Sequence, residues 1–143
     1  MKNLVVMFLL LCVSVFGANN EAGIIKSVSG DAFLIKDGKT KSAVKVGDKF
    51  FEKDTIVTTR GAKVGLIFND NTLVSVGSNS EFIVREYVFK PGEQKSSFIG
   101  RLNKGTLACA TGLIAKMNPD SMKMESKTAT IGIRGTYFVV EAD

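Results

Sequence analysis

The segment from Thr128 to Thr136, Thr-Ala-Thr-Ile-Gly-Ile-Arg-Gly-Thr, holds the residues best arranged for specific chemistry. It is called the signature segment below. Threonine and isoleucine favour extended backbone, whereas glycine inside a strand marks a bulge, a bend or a close approach. The pattern therefore predicts a bent strand that presents one cation at a fixed place. The residues singled out as a structural signature are Thr128, Thr130, Gly132, Ile133, Arg134, Gly135 and Thr136.

Three roles are open to Arg134, which lies between two glycines. A planar guanidinium can contact several backbone carbonyls or a carboxylate, and it would then tie the last strand to earlier turns. It could instead be solvated in a β-turn, or face an anionic ligand. We expect the first role, a structural keystone, and no part in catalysis.

The composition removes most catalytic and metal-binding classes. The chain contains no histidine and no tryptophan, which excludes histidine-based triads and histidine-ligated zinc. Asp48, Asp54 and Asp70 each fall at a turn, where a carboxylate ordinarily accepts hydrogen bonds from nearby backbone, and they lack calcium-loop spacing. Catalysis by lysine or carboxylate groups stays formally open, but the sequence has no dense carboxylate cluster, so we expect no enzyme activity, no metal and no cofactor.

The first residues predict export. Lys2 precedes a nearly unbroken apolar run from Leu4 to Phe16, which is the layout of a signal peptide and is short for a membrane span. We predict a signal peptide over residues 1–17, a linker over 18–22 and one domain over 23–143. Periplasmic location follows; secretion, or retention at the inner membrane by an uncleaved leader, are the alternatives. Cys12 is expected to belong to the leader, leaving Cys109 as a single buried thiol.

The rest of the chain predicts an all-β domain. Short runs rich in valine, isoleucine, phenylalanine and threonine alternate with turn residues such as Asp37-Gly38 and Asn69-Asp70-Asn71-Thr72. No stretch has the periodicity of a long helix. We predict one domain of many short strands, either a twisted roll resembling a β-solenoid or a β-sandwich. Lys90–Ser97 is expected to be a loop, Phe98–Asn103 and Gly105–Ala110 two separate strands, and Tyr137–Glu141 the last strand.

Several pieces resemble the FecR domain, a β-rich periplasmic domain of bacteria. The resemblance includes the first strand and turn at Gly23–Gly30, and it closes with the signature segment. The pieces between them are Val46-Gly47-Asp48 with Asp54-Thr55-Ile56-Val57-Thr58, Leu66–Leu73, and Gly105-Thr106-Leu107. Asn71 stands where the family usually has glycine, and asparagine tolerates the same left-handed backbone. The resemblance favours the solenoid-like form.

The resemblance implies a non-catalytic sensing or protein-interaction module of envelope signalling, with an envelope protein as partner. Regulators of this family carry a cytoplasmic segment that binds a sigma factor and then a membrane span; here only the predicted leader precedes the domain, so sigma-factor control is not implied. A structural or surface-associated role, or a ligand-binding or transport accessory role, remains open. The formal net charge of +5 is mild and the lysines are scattered, so we expect no nucleic acid. No membrane span is expected after the leader.

Overall fold

The computed structural model describes residues 20–135 and 137–143; the predicted signal peptide, Cys12 and Thr136 lie outside them. The strands are β1 (Glu21–Ser29), β2 (Ala32–Lys36), β3 (Thr40–Ala43), β4 (Lys49–Phe51), β5 (Thr55–Thr58), β6 (Lys63–Phe68), β7 (Leu73–Val76), β8 (Glu81–Lys90), β9 (Lys95–Ala110), β10 (Met122–Glu125), β11 (Thr130–Gly132) and β12 (Tyr137–Ala142). One helix, α1 (Leu113–Met117), and two 3-10 turns, Pro91–Glu93 and Pro119–Ser121, complete the described elements.

The strands form one curled sheet that resembles half of a barrel, and the predicted all-β single domain is confirmed. Its first part, sheet A, has the order β12-β9-β7-β6-β1-β4; its second part, sheet B, has the order β11-β10-β9-β8-β5-β2-β3. Neighbours are antiparallel, except that β9 and β10 are parallel. Strand β9 belongs to both parts and joins them.

Strand β9 bends at Gly105, whose φ of +96° lies in the left-handed region. Before the bend β9 pairs with β8 and β10, and from Gly105 onward it pairs with β7 and β12. A side chain at Gly105 would overlap Ser80, so the chain needs glycine there for two reasons. The sequence predicted two strands here; the structure has one, because a glycine can turn the strand without ending its pairing.

The core lies inside the curl and centres on four packed rings. Phe68 contacts the rings of Phe50, Tyr87 and Phe98 at centroid distances of 4.9, 5.3 and 4.5 Å. All four side chains are buried, as is Phe82. Such rings bury large apolar areas and add a favourable edge-to-face term. The other described phenylalanines, Phe33, Phe51, Phe89 and Phe138, are half-buried.

The turns at Asp37-Gly38 and at Asn71 have the backbone conformation that their sequences predict. Asp37 and Gly38 both have positive φ in the β2–β3 hairpin, and Asn71 has a φ of 69°, as its place in the turn requires. The region Lys90–Ser97, predicted as a loop, is instead a hairpin in which only Pro91–Glu93 and Gln94 separate β8 from β9. Strand β1 already includes Glu21 and the buried Ala22, both in the segment predicted as a linker.

Candidate functional site

The signature segment forms β11 and the connection into β12. Strand β11 pairs only with β10 in the described chain, and its three residues are exposed. Ile133 is buried, and its backbone N–H donates to the carbonyl of Met122 at 3.1 Å. Thr128 donates its backbone N–H to Ser126 Oγ at 3.4 Å. The segment therefore lies at one edge of the curled sheet, fastened by its backbone and by one isoleucine.

Arg134 is exposed to solvent. Its Nη2 lies 3.8 Å from Asp120 Oδ1, and the two side chains are 85% and 89% exposed. An ion pair of this kind contributes between nothing and about 1 kcal/mol. Among the described residues the guanidinium makes no other hydrogen bond or ion pair, so the structure shows no contact that would give Arg134 the keystone role expected from the sequence. That the segment is a structural signature stays a prediction.

The two glycines of the signature segment also differ from expectation. A Cβ built on Gly132 or Gly135 meets no atom within 4 Å, and neither residue has a positive φ. The bend or close approach predicted for them is therefore not required by the described neighbours. Close approaches occur instead at Gly105, described above, and at Gly112, where a Cβ would overlap the carbonyl oxygen of Asp70.

A buried carboxylate, Asp70, organises the turn between β6 and β7. Its Oδ2 accepts from Thr72 Oγ1 at 2.7 Å and from the N–H of Ile114 at 3.1 Å. Its Oδ1 accepts from the N–H of Thr72 at 3.3 Å and from the hydroxyl of Tyr87 at 3.0 Å. The carboxylate is fully buried and every oxygen is hydrogen-bonded, so its role is to hold the β6–β7 turn, α1 and β8 together.

Burial also raises the pKa of two groups that interact electrostatically with this carboxylate, Cys109 and Tyr87. Burial, and then the charge of Asp70, raise the pKa of the Cys109 thiol from its ordinary value of 9.0 to about 12. The same two causes, in the same order, raise the pKa of Tyr87 far above its usual range. Cys109 is free and fully buried, as predicted. A protonated buried thiol is a poor nucleophile, so this cluster is suited to stability and not to catalysis.

The other turn aspartates behave as predicted. Asp48 Oδ2 accepts from the N–H of Lys45, and Asp54 Oδ2 accepts from the N–H of Phe51, each at 2.9 Å. Throughout residues 20–135 and 137–143, no group of three or more histidine, cysteine, aspartate or glutamate side chains could hold a metal ion. The same residues contain no helix long and apolar enough to cross a membrane.

The outer face of sheet A carries an exposed apolar row that the sequence analysis did not identify. The cross-strand register places five residues side by side on β1, β6, β7, β9 and β12: Ile24, Ile67, Leu73, Ala110 and Tyr137. Tyr137 is 64% exposed, and Ile24 and Leu73 are about 40% exposed. Val139, the next outward residue of β12, is 63% exposed. Contiguous exposed apolar surface is typical of an interaction site.

A shallow groove runs beside this row. Its floor is the neighbouring cross-strand row of Ser27, Gly65, Ser75 and Ala108, whose small side chains leave about 460 Å³ of open space. Lys26 and Lys63 line the groove where it crosses β1 and β6, and Tyr137 lines it at β12.

The row ends at an open strand edge, called the β12 edge below (Tyr137–Ala142). Strand β12 pairs only with β9 in the described chain, over six residues without a register shift. The three other outermost strands are protected: β4 and β11 have three residues each, and β3 is polar and carries Lys41. Short or charged edge strands resist pairing with another chain, whereas β12 is long, regular and carries one charge, Glu141.

We take the β12 edge and the apolar row as the candidate functional site. The signature segment leads directly into it, since Gly135 lies two residues before Tyr137. Sequence reasoning assigned Tyr137–Glu141 to the last strand, but it could not show that this strand is outermost, because that depends on non-local pairing. The run Tyr-Phe-Val-Val is apolar on both faces, which is typical of a covered strand, so it gave no signal of an exposed edge.

Comparisons with known proteins bear on the second half of the chain most directly. A family model described as "FecR protein" matches residues 54–143, from just before β5 to the last residue. Among solved structures, one described as "Cell surface anchoring domain" is 27% identical, with 43% of this chain and 82% of that chain covered and a TM-score of 0.42. The comparison with curated proteins found no match. The matched region includes Asp70, the bend at Gly105 and the whole β12 edge.

Proposed function

Because the chain belongs to the FecR family, we propose that it is a non-catalytic protein-interaction module of the bacterial cell envelope, acting in sensing or signalling. Its partner pairs with the β12 edge. One observation carries this proposal: the least protected strand edge of the described chain coincides with its exposed apolar row.

Strand addition is the binding mode that this geometry favours. The free backbone groups of an outermost strand provide main-chain hydrogen bonds to an incoming strand, and alternate side chains provide specificity. Tyr137 and Val139 point outward from β12, so an added strand would extend the apolar row beyond its present end. The incoming strand would therefore carry apolar residues at alternate positions opposite Tyr137 and Val139.

The polar chemistry supports a non-catalytic role. Asp70 and Tyr87 are hydrogen-bonded to each other in the core, and burial raises the pKa of both the Tyr87 phenol and the Cys109 thiol, so both groups are protonated at neutral pH. The exposed groove is lined by two lysines, by Tyr137 and otherwise by apolar or small side chains, and its lining residues include no carboxylate. Catalytic sites ordinarily join concavity with perturbed titratable groups that substrate can reach.

Export to the periplasm is part of the proposal and rests on Lys2 and the apolar run from Leu4 to Phe16. Intact-mass measurement of protein from the periplasmic fraction tests it. A mature chain that lacks residues 1–17 is expected. Recovery from membranes alone, with Met1 retained, would favour an anchored form.

The groove gives a specific basis for one alternative, a ligand-binding accessory role in the envelope. Lys26 and Lys63 could receive an anionic group while Leu73 and Tyr137 contact an apolar body. Lys26→Ala with Lys63→Ala separates the two roles. Under the proposed function the double variant binds its protein partner as the wild type does, because Lys26 lies four strands and Lys63 three strands from the β12 edge.

Site-specific photo-cross-linking in intact cells tests the proposed function. A photoreactive amino acid replaces Tyr137 at the β12 edge, and Val46, which is 66% exposed outside any strand, provides the matched control position. We expect a discrete cross-linked protein from position 137 and none from position 46. Equal cross-linking from both positions, or none from either, would contradict the proposal.

A further inference from the structure

We propose that the partner at the β12 edge is a second copy of this chain, with the two β12 strands antiparallel about a two-fold axis at Val139. This inference rests on the proposed function, since it uses the same edge, and it adds the identity of the partner. Pairing would join two copies of sheet A into one continuous sheet. A two-fold interface uses the same patch on both copies, so the strand must be complementary to itself.

The alternation of side chains between the two faces of a strand limits the registers in which two β12 strands can pair. Directly opposed residues of an antiparallel pair lie on the same face, and successive residues of a strand alternate between faces. Tyr137, Val139 and Glu141 point outward, whereas Phe138 and Val140 point toward the core. A two-fold axis must therefore pass through a residue and not between two residues. An axis at Val139 keeps all residues from Tyr137 to Glu141 paired.

This register is self-complementary in charge and shape. Tyr137 faces the partner's Glu141 on the outer surface, where a phenol can donate to a carboxylate, and the single acidic residue never faces its own copy. Val139 faces the partner's Val139 at the axis, so the two most exposed apolar positions at the centre of the strand cover each other. Aromatic, aliphatic and polar pairs of these kinds stabilise neighbouring strands, whereas opposed like charges destabilise them.

The inner face supports the same arrangement. Phe138 is half-buried and packs against the core, and Val140 is 8% exposed. In the proposed register Phe138 lies opposite the partner's Val140, so the apolar core of each copy continues across the new strand pair. An unrelated partner strand would have to supply both an outer polar group for Glu141 and inner apolar residues. A second copy supplies both, since its Tyr137 lies opposite Glu141 and its Phe138 and Val140 lie on the inner face.

Oligomeric state is the first test, measured by sedimentation velocity on the protein purified from the periplasm. We expect a dimer that dissociates on dilution. Val139→Lys places two ammonium groups at the axis and should weaken dimerisation by at least about tenfold, which is about 1.4 kcal/mol. Val46→Lys makes the same chemical change at a position of similar exposure outside the strands, and it should leave the dimer intact.

Register is the second test. Val139→Cys should form a disulfide-linked dimer under mild oxidation, because the two Cβ atoms face each other at the axis. The native Cys109 is buried and does not compete. Val46→Cys is the control and should stay monomeric on a non-reducing gel. Tyr137→Glu should weaken the dimer, because it faces the partner's Glu141, while Tyr137→Lys should preserve or tighten it.

The two proposals fail in different ways. A monomeric wild type together with a Val139→Cys variant that does not cross-link would overturn the second-copy inference. If position 137 then cross-links a different protein in cells, the proposed function stands. Absence of any cross-link from position 137 would reject both. A dimer that Val139→Lys leaves unchanged would also overturn the inference, because the copies would then meet elsewhere.

Discussion

Tyr87 and Asp70 are joined by two hydrogen bonds in opposite directions. The phenol oxygen accepts from the backbone N–H of Asp70 and donates to its Oδ1, each at 3.0 Å. One hydroxyl of β8 therefore fixes both the backbone and the side chain of the β6–β7 turn. Because both residues are buried, neither hydrogen bond competes with water, and loss of either partner leaves an unsatisfied polar group in the core.

Asp70→Asn should lower the free energy of unfolding by about 2 kcal/mol or more, because an amide nitrogen would face hydrogen-bond donors where a carboxylate oxygen now accepts. Asp120→Asn makes the same change at an 89% exposed position and should have little effect. Urea denaturation of both variants provides the measurement. Equal midpoints for the two would show that the Asp70 network does not stabilise the fold.

Cys109 should react with a thiol reagent only when the protein unfolds. The thiol is fully buried, and its raised pKa leaves almost no thiolate at neutral pH. Labelling of the native state should therefore require unfolding, and its rate should rise with denaturant. Rapid labelling in buffer alone would indicate that the thiol is exposed in the native protein.

Stability should fall as the pH rises above about 9. The pKa of Cys109 and that of Tyr87 are both raised by folding, so their contribution is fully present below the unfolded-state pKa values and is lost as the pH rises toward the folded ones. The free energy of unfolding, measured between pH 8 and 12, should decline less steeply in Cys109→Ala than in the wild type. Parallel curves would exclude a contribution from this thiol.

Gly105→Ala should be strongly destabilising, since the position has a positive φ and an added Cβ would overlap Ser80. Gly132→Ala is the matched control, because a Cβ there meets no neighbour within 4 Å. Thermal unfolding should show a large decrease in Tm for the first variant and almost none for the second. A larger loss at Gly132 would restore the importance that the sequence assigned to the signature glycines.

Arg134→Ala should change the free energy of unfolding by less than about 1 kcal/mol, as expected for an exposed ion pair. Asp120→Ala should give a similar small change, and the double variant should show weak coupling between the two. A loss above about 2 kcal/mol at Arg134 alone would support the keystone role predicted from the sequence.

The contrast between Asn71 and Arg134 shows what the sequence can predict. The turn at Asn71 and the hydrogen bonds of Asp48 and Asp54 depend on residues two or three positions away, and each was predicted correctly. The resemblance to the FecR domain is likewise confirmed over residues 54–143. The environment of Arg134 depends on which strands cover the signature segment. Composition and spacing carry no information about that.

The β12 edge was missed for the same reason. Tyr137–Glu141 was assigned to the last strand, but a strand with apolar residues on both faces is expected to be covered on both. Its exposure follows from the bend at Gly105, which turns the second half of β9 into sheet A and leaves β12 outermost. Topology, and not strand propensity, therefore creates the candidate site.

The position of β9 in both parts of the sheet has a consequence for amide hydrogen exchange. Its first half is flanked by β8 and β10 and its second half by β7 and β12, so residues 98–101 and 107–110 have paired strands on both sides. Neither part of the sheet can open by itself without breaking the ladder of the strand they share. The slowest-exchanging amides on both sides of Gly105 should therefore report one common opening free energy, and the domain should behave as a single exchange unit.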